Sequence, residues 1–379
     1  MELRGWLTTQ PLVPDEDDAR HHKDIALESF IRHGVRIYEN QNSTTKVVYA
    51  TVDTCFEKLG TKTPVVFATI EAIVPSRYFS YDIETDGGSV QLGNAKEASV
   101  VRIDSGGGPI LCRESVQAME VGVRSWGGDV VAKQVTGNTV AIDTTVGNDT
   151  DVDVSGGHVD ITTIAGISVD VKSPTVAVGA VFVEERGTIE CSFLRADSIR
   201  GGGSGSDSHK EGTNSMHVVL RSGGSRGVVV GGVDGRLFID TNPGSTPSTV
   251  DLQINEGCHE VRINSGIGVV ETHIAPTMSA VVGLDADTVE RRNWELPVGN
   301  TAVVKTSGGG IKAVLQCVTD DTNEQEQGRA VSRLQRGGGG SASASSGVDV
   351  SIYNADKVVV KRRSWIEARQ AAMMAKRRV

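Results

Sequence analysis

Alternating carboxylates stand in IDTTVGNDTDVDV (142–154), with Asp149, Asp151 and Asp153 at i, i+2 and i+4. Residues two apart on a strand share a face, so the three could offer oxygen ligands to a cation or form the solvated side of an amphipathic strand. GGSGSDSHK (202–210) follows a calcium-roll nonapeptide until its eighth place, where a large apolar residue is needed and His209 stands. Such rolls share each ion between consecutive copies, and a single copy points to a loop. GGSRG (223–227) has the letters of a nucleophile elbow. That motif leads from a strand into a helix, whereas here VVVGG follows, so Ser225 reads as a corner residue.

The eight histidines are scattered, with His158, His217 and His273 inside strand patterns and no pair at metal-ligand spacing. Cys258 and His259 are neighbours, but adjacent strand residues face opposite ways. Five cysteines (Cys55, Cys112, Cys191, Cys258 and Cys317) lie far apart without a CxxC pair, which reads as buried reduced thiols. Zinc-protease, P-loop and dinucleotide fingerprints are missing from the sequence. These residues predict no catalytic group, no metal ligands and no cofactor. The enzymatic alternative is a carbohydrate lyase or glycosidase on a β-helix. It would need convergent carboxylates and a basic group framed by sugar-stacking aromatics, and aromatics make up only 4% of the chain.

Charge is concentrated at one end. Residues 357–379 hold eight Lys/Arg against Glu367, a net of +7, so a chain of net charge −10 carries −17 on the remainder. On a helix, Trp365, Ala368, Ala372, Ala375 and Val379 would form a narrow apolar stripe. Such a segment could cap the fold, bind its acidic flank, or dock on an acidic partner or membrane surface. Nucleic acid is disfavoured because the acidic body would repel phosphate. The residues expected to contact a protein partner are Arg362, Arg363, Trp365, Arg369, Lys376 and Arg377, with Trp365 as apolar anchor and the others as steering charge.

The elements that position these residues are announced by glycine. YDIETDGGSVQL, VRIDSGGGPILC and VGVRSWGGDVVA place Gly87, Gly107 and Gly127 at steps of 20, and Gly147 stands at the next step. Each copy is a strand, a sharp corner and a second strand. A unit of that size cannot bury its own apolar face, so similar units must stack. Short strands continue to about residue 315, through VDVSGGHVDI, LRSGGSRGVVVG, GRLFID and VRINSGIGVVETHI. One corner motif repeated in register favours an all-β parallel solenoid, or β-helix, over a sandwich. The 45 Gly, few aromatics and 38% hydrophobic content fit a core of β-branched ladders.

Residues 1–34 read as an acidic arm ending in a short capping helix, DIALESFIRHG (24–34), with Asp24 as N-cap and Gly34 as stop. Residues 35–318 form the repeat domain, interrupted by an insertion loop at 200–215. A flexible linker spans 319–347, and 348–379 holds terminal strands and the basic C-terminal helix. MELRGWLTTQPLVPDEDDARHH lacks the basic start and apolar run of a secretory signal, which predicts a protein that is not secreted. No apolar run approaches the ~18 residues of a membrane span.

IDSGGGPI, VDVSGGHVDI, LRSGGSRGVVVGGVDGRLFID and INSGIGVVETHI share a grammar of strand, S/T-x-G-G or S-G-x-G, strand. In it, residues 76–284 resemble the adhesin-like family of right-handed β-solenoid repeats. The ending VVVKRRSW (358–365) extends the likeness, over roughly 35–370, to the animal-type members of that group. The resemblance implies a right-handed parallel β-solenoid and a non-enzymatic structural or scaffold protein, an accessory subunit of a larger assembly, without catalytic residues to carry over. Those members are mitochondrial, so the resemblance implies a mitochondrial location, with the cytoplasm as the other intracellular expectation.

Overall fold

The computed structural model describes residues 2–10, 36–39, 48–51, 65–73, 77, 80–85, 87–146, 156–201, 215–221, 226–241, 247–265, 268–274, 280–292, 302–305, 311–317 and 348–362. They fall into two compact units, Met1–Pro75 and Ser76–Val379. The first holds β1 (Glu2–Gln10), β2 (Arg36–Glu39), β3 (Val48–Thr51) and β4 (Val65–Ile73). Here β1 pairs antiparallel with β4, and β2 antiparallel with β3. Strand Glu2–Gln10 lies in the segment read as the acidic arm, and the division at Ser76 falls inside the segment 35–318 read as the repeat domain.

The second unit opens with β5 (Tyr81–Glu84), β6 (Val90–Leu92), β7 (Ala95–Asp104), β8 (Ile110–Arg124), β9 (Val130–Asp143) and β10 (His158–Lys172). It continues with β11 (Thr175–Cys191), β12 (Phe193–Gly201), β13 (Ser215–Leu220), β14 (Arg226–Asp240), β15 (Ser248–Asn264) and β16 (Gly268–Ile274). Last come β17 (Ala280–Arg292), β18 (Ala302–Lys305), β19 (Ile311–Cys317) and β20 (Val348–Arg362). The described residues are all-β and include no helix. The segment 24–34, expected as a helix, lies outside the described residues, as do residues 363–379 of the basic C-terminal helix expected within 348–379, residues 202–214 of the insertion expected at 200–215, and the linker 319–347.

From β5 to β16 the pairing is parallel and advances by one repeat at a time. Alternation along each strand then sends every second side chain inward, and parallel register stacks equivalent residues on one another. One inward column runs Ile103, Val123, Ile142, Val171, Ile189, Val218, Ile239, Ile263 and Ile352. A second runs Val90, Ile110, Val130, Val159, Val176, Leu194, Val228, Val250, Val270 and Val358. A third runs Val116, Val135, Ile164, Val181, Ile199, Val233, Ile254 and Ile274. All are buried. Each side chain removed from water contributes ~1.5–3 kcal/mol, and β-branched residues suit these columns because they pack on the pleat with little rotamer freedom to lose.

Gly87, Gly107 and Gly127 occupy the corners with φ of 83°, 120° and 105°, a region closed to most side chains. Gly108 and Gly128, which follow the second and third of these, are needed for a different reason: a Cβ on Gly108 would sit 2.2 Å from the Gly88 carbonyl oxygen. Val130 pairs with Val159, and Gly157 takes the place over Gly128, so the fourth corner absorbs extra residues and the step lengthens to 29.

A hydroxyl precedes each early corner, partly exposed at Thr85 and buried at Ser105, Ser125 and Thr144. Thr85 Oγ1 donates to the Gly88 carbonyl (2.8 Å), Ser125 Oγ to Gly128 (2.5 Å) and Thr144 Oγ1 to Gly157 (2.8 Å); Ser105 donates likewise to Gly108. These carbonyls turn away from the strand ladders, and the hydroxyls satisfy them inside the corner.

The far end does not follow chain order. β20 lies between β16 and β17, and also pairs in parallel with β15. The segments expected as separate strands at 348–353 and 357–360 are one strand, which closes the aliphatic columns with Ile352 and Val358. β19 pairs antiparallel with β17 and β18, so parallel stacking ends there.

Candidate functional site

Strand alternation sends Leu252 and Ile254 inward on β15 and leaves Asp251 and Gln253 on the outer face. On β16 the same logic sends Val270 and Ile274 inward and puts Glu271 and His273 outside. Parallel register sets Asp251 beside Glu271 and Gln253 beside His273. His273 thereby meets both carboxylates: its Nε2 lies 2.9 Å from Glu271 Oε1 and 3.2 Å from Asp251 Oδ1.

The three side chains differ in exposure. His273 is 10% exposed, Glu271 31% and Asp251 52%, so the group opens to solvent on the Asp251 side and is closed behind the imidazole. All three ligand atoms lie within 4.8 Å of one another. Two buried polar atoms in these coil positions have no hydrogen-bond partner: Gln253 Oε1 and His273 Nδ1. Gln253 Nε2 is 3.4 Å from the Ile254 carbonyl oxygen. The cluster can hold a shared proton between imidazole and carboxylate or a small cation among the three. Histidine spacing alone could not find it, because its partners are carboxylates brought in from the neighbouring strand and from two residues away.

A second polar cluster decorates the β8–β9 corner. Trp126 holds φ 52°, in the place where the preceding coil has Gly106 at φ 60°. Its indole Nε1 donates to Asp104 Oδ2 at 3.1 Å, and the Arg124 guanidinium lies 3.4 Å from the ring centroid. The cation–π contact covers one face of the ring, and the hydrogen bond ties it to the coil below, so this aromatic braces the corner.

The thiols follow expectation where described. Cys112, Cys191 and Cys258 are buried and unpaired, and burial pushes them up to about 11, 12 and 12. Cys258 faces inward while its neighbour His259 is exposed, as strand alternation requires. His217, also in a strand, stacks on Phe238 with ring centroids 5.0 Å apart.

Asp149, Asp151, Asp153, the segment 202–210 and Ser225 lie outside the described residues. So do Arg363, Trp365, Arg369, Lys376 and Arg377, whereas Arg362 ends β20 in register with Ile274. That pairing ends β20 one strand away from the His273 cluster. No helix among the described residues is long and apolar enough to cross a membrane. Comparison with protein-family models, curated proteins and solved structures finds no match for this chain.

Proposed function

We propose that the second unit is a right-handed parallel β-solenoid of the adhesin-like repeat type and that the protein works as a non-enzymatic scaffold. The observation that carries this reading is the parallel pairing from β5 to β16, which keeps three aliphatic columns in line through its local register shifts. A register of that kind turns the outer positions into long straight files of side chains, a surface suited to extended protein contacts. The partner is a protein with an acidic surface, engaged by Arg362, Arg363, Trp365, Arg369, Lys376 and Arg377. Because β20 is locked between β16 and β17, this tail is anchored to the stack at its root. Cross-linking of the full chain in cell extract, with mass spectrometric mapping, tests the reading. Cross-links from Lys376 to an acidic segment of one recurrent protein support it, and cross-links confined to the chain itself count against it.

The carbohydrate-active alternative gains one specific observation, the convergence of Asp251 and Glu271 beside His273. Incubation with uronate polysaccharides and absorbance detection of unsaturated sugar ends decides it for the lyase type. Product formation abolished by Asp251→Asn would replace the scaffold reading.

A further inference from the structure

Tetrahedral coordination with bonds of ~2.0–2.1 Å places neighbouring ligand atoms roughly 3.3 Å apart. His273 Nε2 already stands 2.9 and 3.2 Å from its two carboxylate oxygens, so an ion could replace the shared hydrogen bonding with small side-chain adjustments. We propose that Asp251, Glu271 and His273 form a binding site for a divalent transition-metal ion of the zinc class, held at the outer face of β15 and β16.

The donor set selects the ion. One imidazole nitrogen with two carboxylate oxygens suits zinc and its neighbours, whereas calcium and magnesium prefer six or more oxygens and gain little from a nitrogen. Charge favours binding as well, since two carboxylates compensate the dication. The backbone holds the ligands in place beforehand: Asp251 and Glu271 are register partners in a parallel ladder, and Glu271 and His273 share one face of one strand. Three protein ligands leave a fourth position, and the half-exposed Asp251 side gives water or a partner's side chain access to it. Gln253, in register with His273, has a buried Oε1 without a hydrogen-bond partner and is the nearest candidate for an additional donor by coil position. Ligation through Nε2 leaves the proton on Nδ1, which has no partner among the described residues. That lowers the basicity of the ring, so the site is weaker than a closed structural zinc site.

The test uses purified full-length protein stripped with chelator and titrated with zinc ion alone, read by equilibrium dialysis with elemental analysis and by calorimetry. One saturable ion per chain is expected, with affinity reduced at least tenfold by His273→Gln and by Asp251→Asn. Asp251 is half exposed, so its variant keeps the test valid if the His273 variant misfolds. Cobalt ion in place of zinc should give visible absorption bands of a low-coordinate site, lost in the same variants. The proposal is overturned if no stoichiometric ion binds, if the Asp251 variant binds as the parent does, or if calcium binds and zinc does not.

Discussion

Gly128 lies so close over Gly108 that a Cβ at position 128 would stand 2.1 Å from the Gly108 carbonyl oxygen. The obstruction is backbone, fixed on both sides by parallel pairing, and cannot rotate away. Gly128→Ala should therefore destabilise by ~2–3 kcal/mol through forced separation of two coils. Gly122→Ala is the control, because a Cβ there would meet only Arg102 Cγ at 3.9 Å. It should be neutral or stabilise by up to ~1 kcal/mol. Urea unfolding of the two variants beside the parent checks the pair.

Ser125 turns its hydroxyl onto the Gly128 carbonyl at 2.5 Å, and the next coil uses Thr144 in the same role. Ser125→Ala should cost ~1–3 kcal/mol by leaving a buried carbonyl without its donor. Ser125→Thr should recover most of that loss. Failure of Thr to rescue would mean that corner volume, rather than the hydrogen bond, sets the residue.

Thr272 faces inward, in file with Val230, Leu252 and Val360, and its buried hydroxyl has no hydrogen-bond partner. Replacement by the near-isosteric Val removes an unsatisfied polar group and fills the same space. Thr272→Val should stabilise by ~1 kcal/mol, read as a higher urea midpoint.

The three buried thiols give the stability a sign with pH. Their folded values of about 11, 12 and 12 exceed the ordinary 9.0, so the folded state keeps protons that the unfolded state releases. Their contribution is full below pH 9 and is lost as pH rises through the 9–12 window, at most ~1.4 kcal/mol per pH unit for each thiol. Urea midpoints at pH 8 and pH 10 should fall accordingly, and less so in a Cys191→Ala background. Peptide mapping after alkylation at pH 8 should find Cys112, Cys191 and Cys258 unmodified until denaturant is added.

The glycine corners were legible because φ > 0 and close backbone approach each demand glycine, and a strict step of 20 repeats the demand. Where ten further residues enter the corner between Thr144 and Gly157, the step of 20 fails, and only strand register reveals the longer one. The all-β class followed from β-branched alternation. β1 was not legible, since ELRGWLTTQ has no turn signal and its partner Val65–Ile73 lies far along the chain. The place of β20 was hidden for a related reason: Val261 pairs with Val350 across the whole linker, and no period spans that distance. The Asp251–Glu271 pair does keep the 20-residue step, yet acidic residues recur too often on outer faces for that spacing alone to single them out.

The scaffold reading engages its partner through the tail that follows β20, so the most direct measurement compares proteins co-purifying with the full chain, with a chain ending at Arg362, and with Trp365→Ala. Ending at Arg362 keeps β20 whole, and an unchanged melting temperature would verify that. A chain ending at residue 347 lacks β20 and should melt at least ~10 °C lower. The account predicts a defined acidic-surfaced partner that is present with the full chain and lost from both tail variants at equal stability. The same partner list from all three, or none from any, would contradict it.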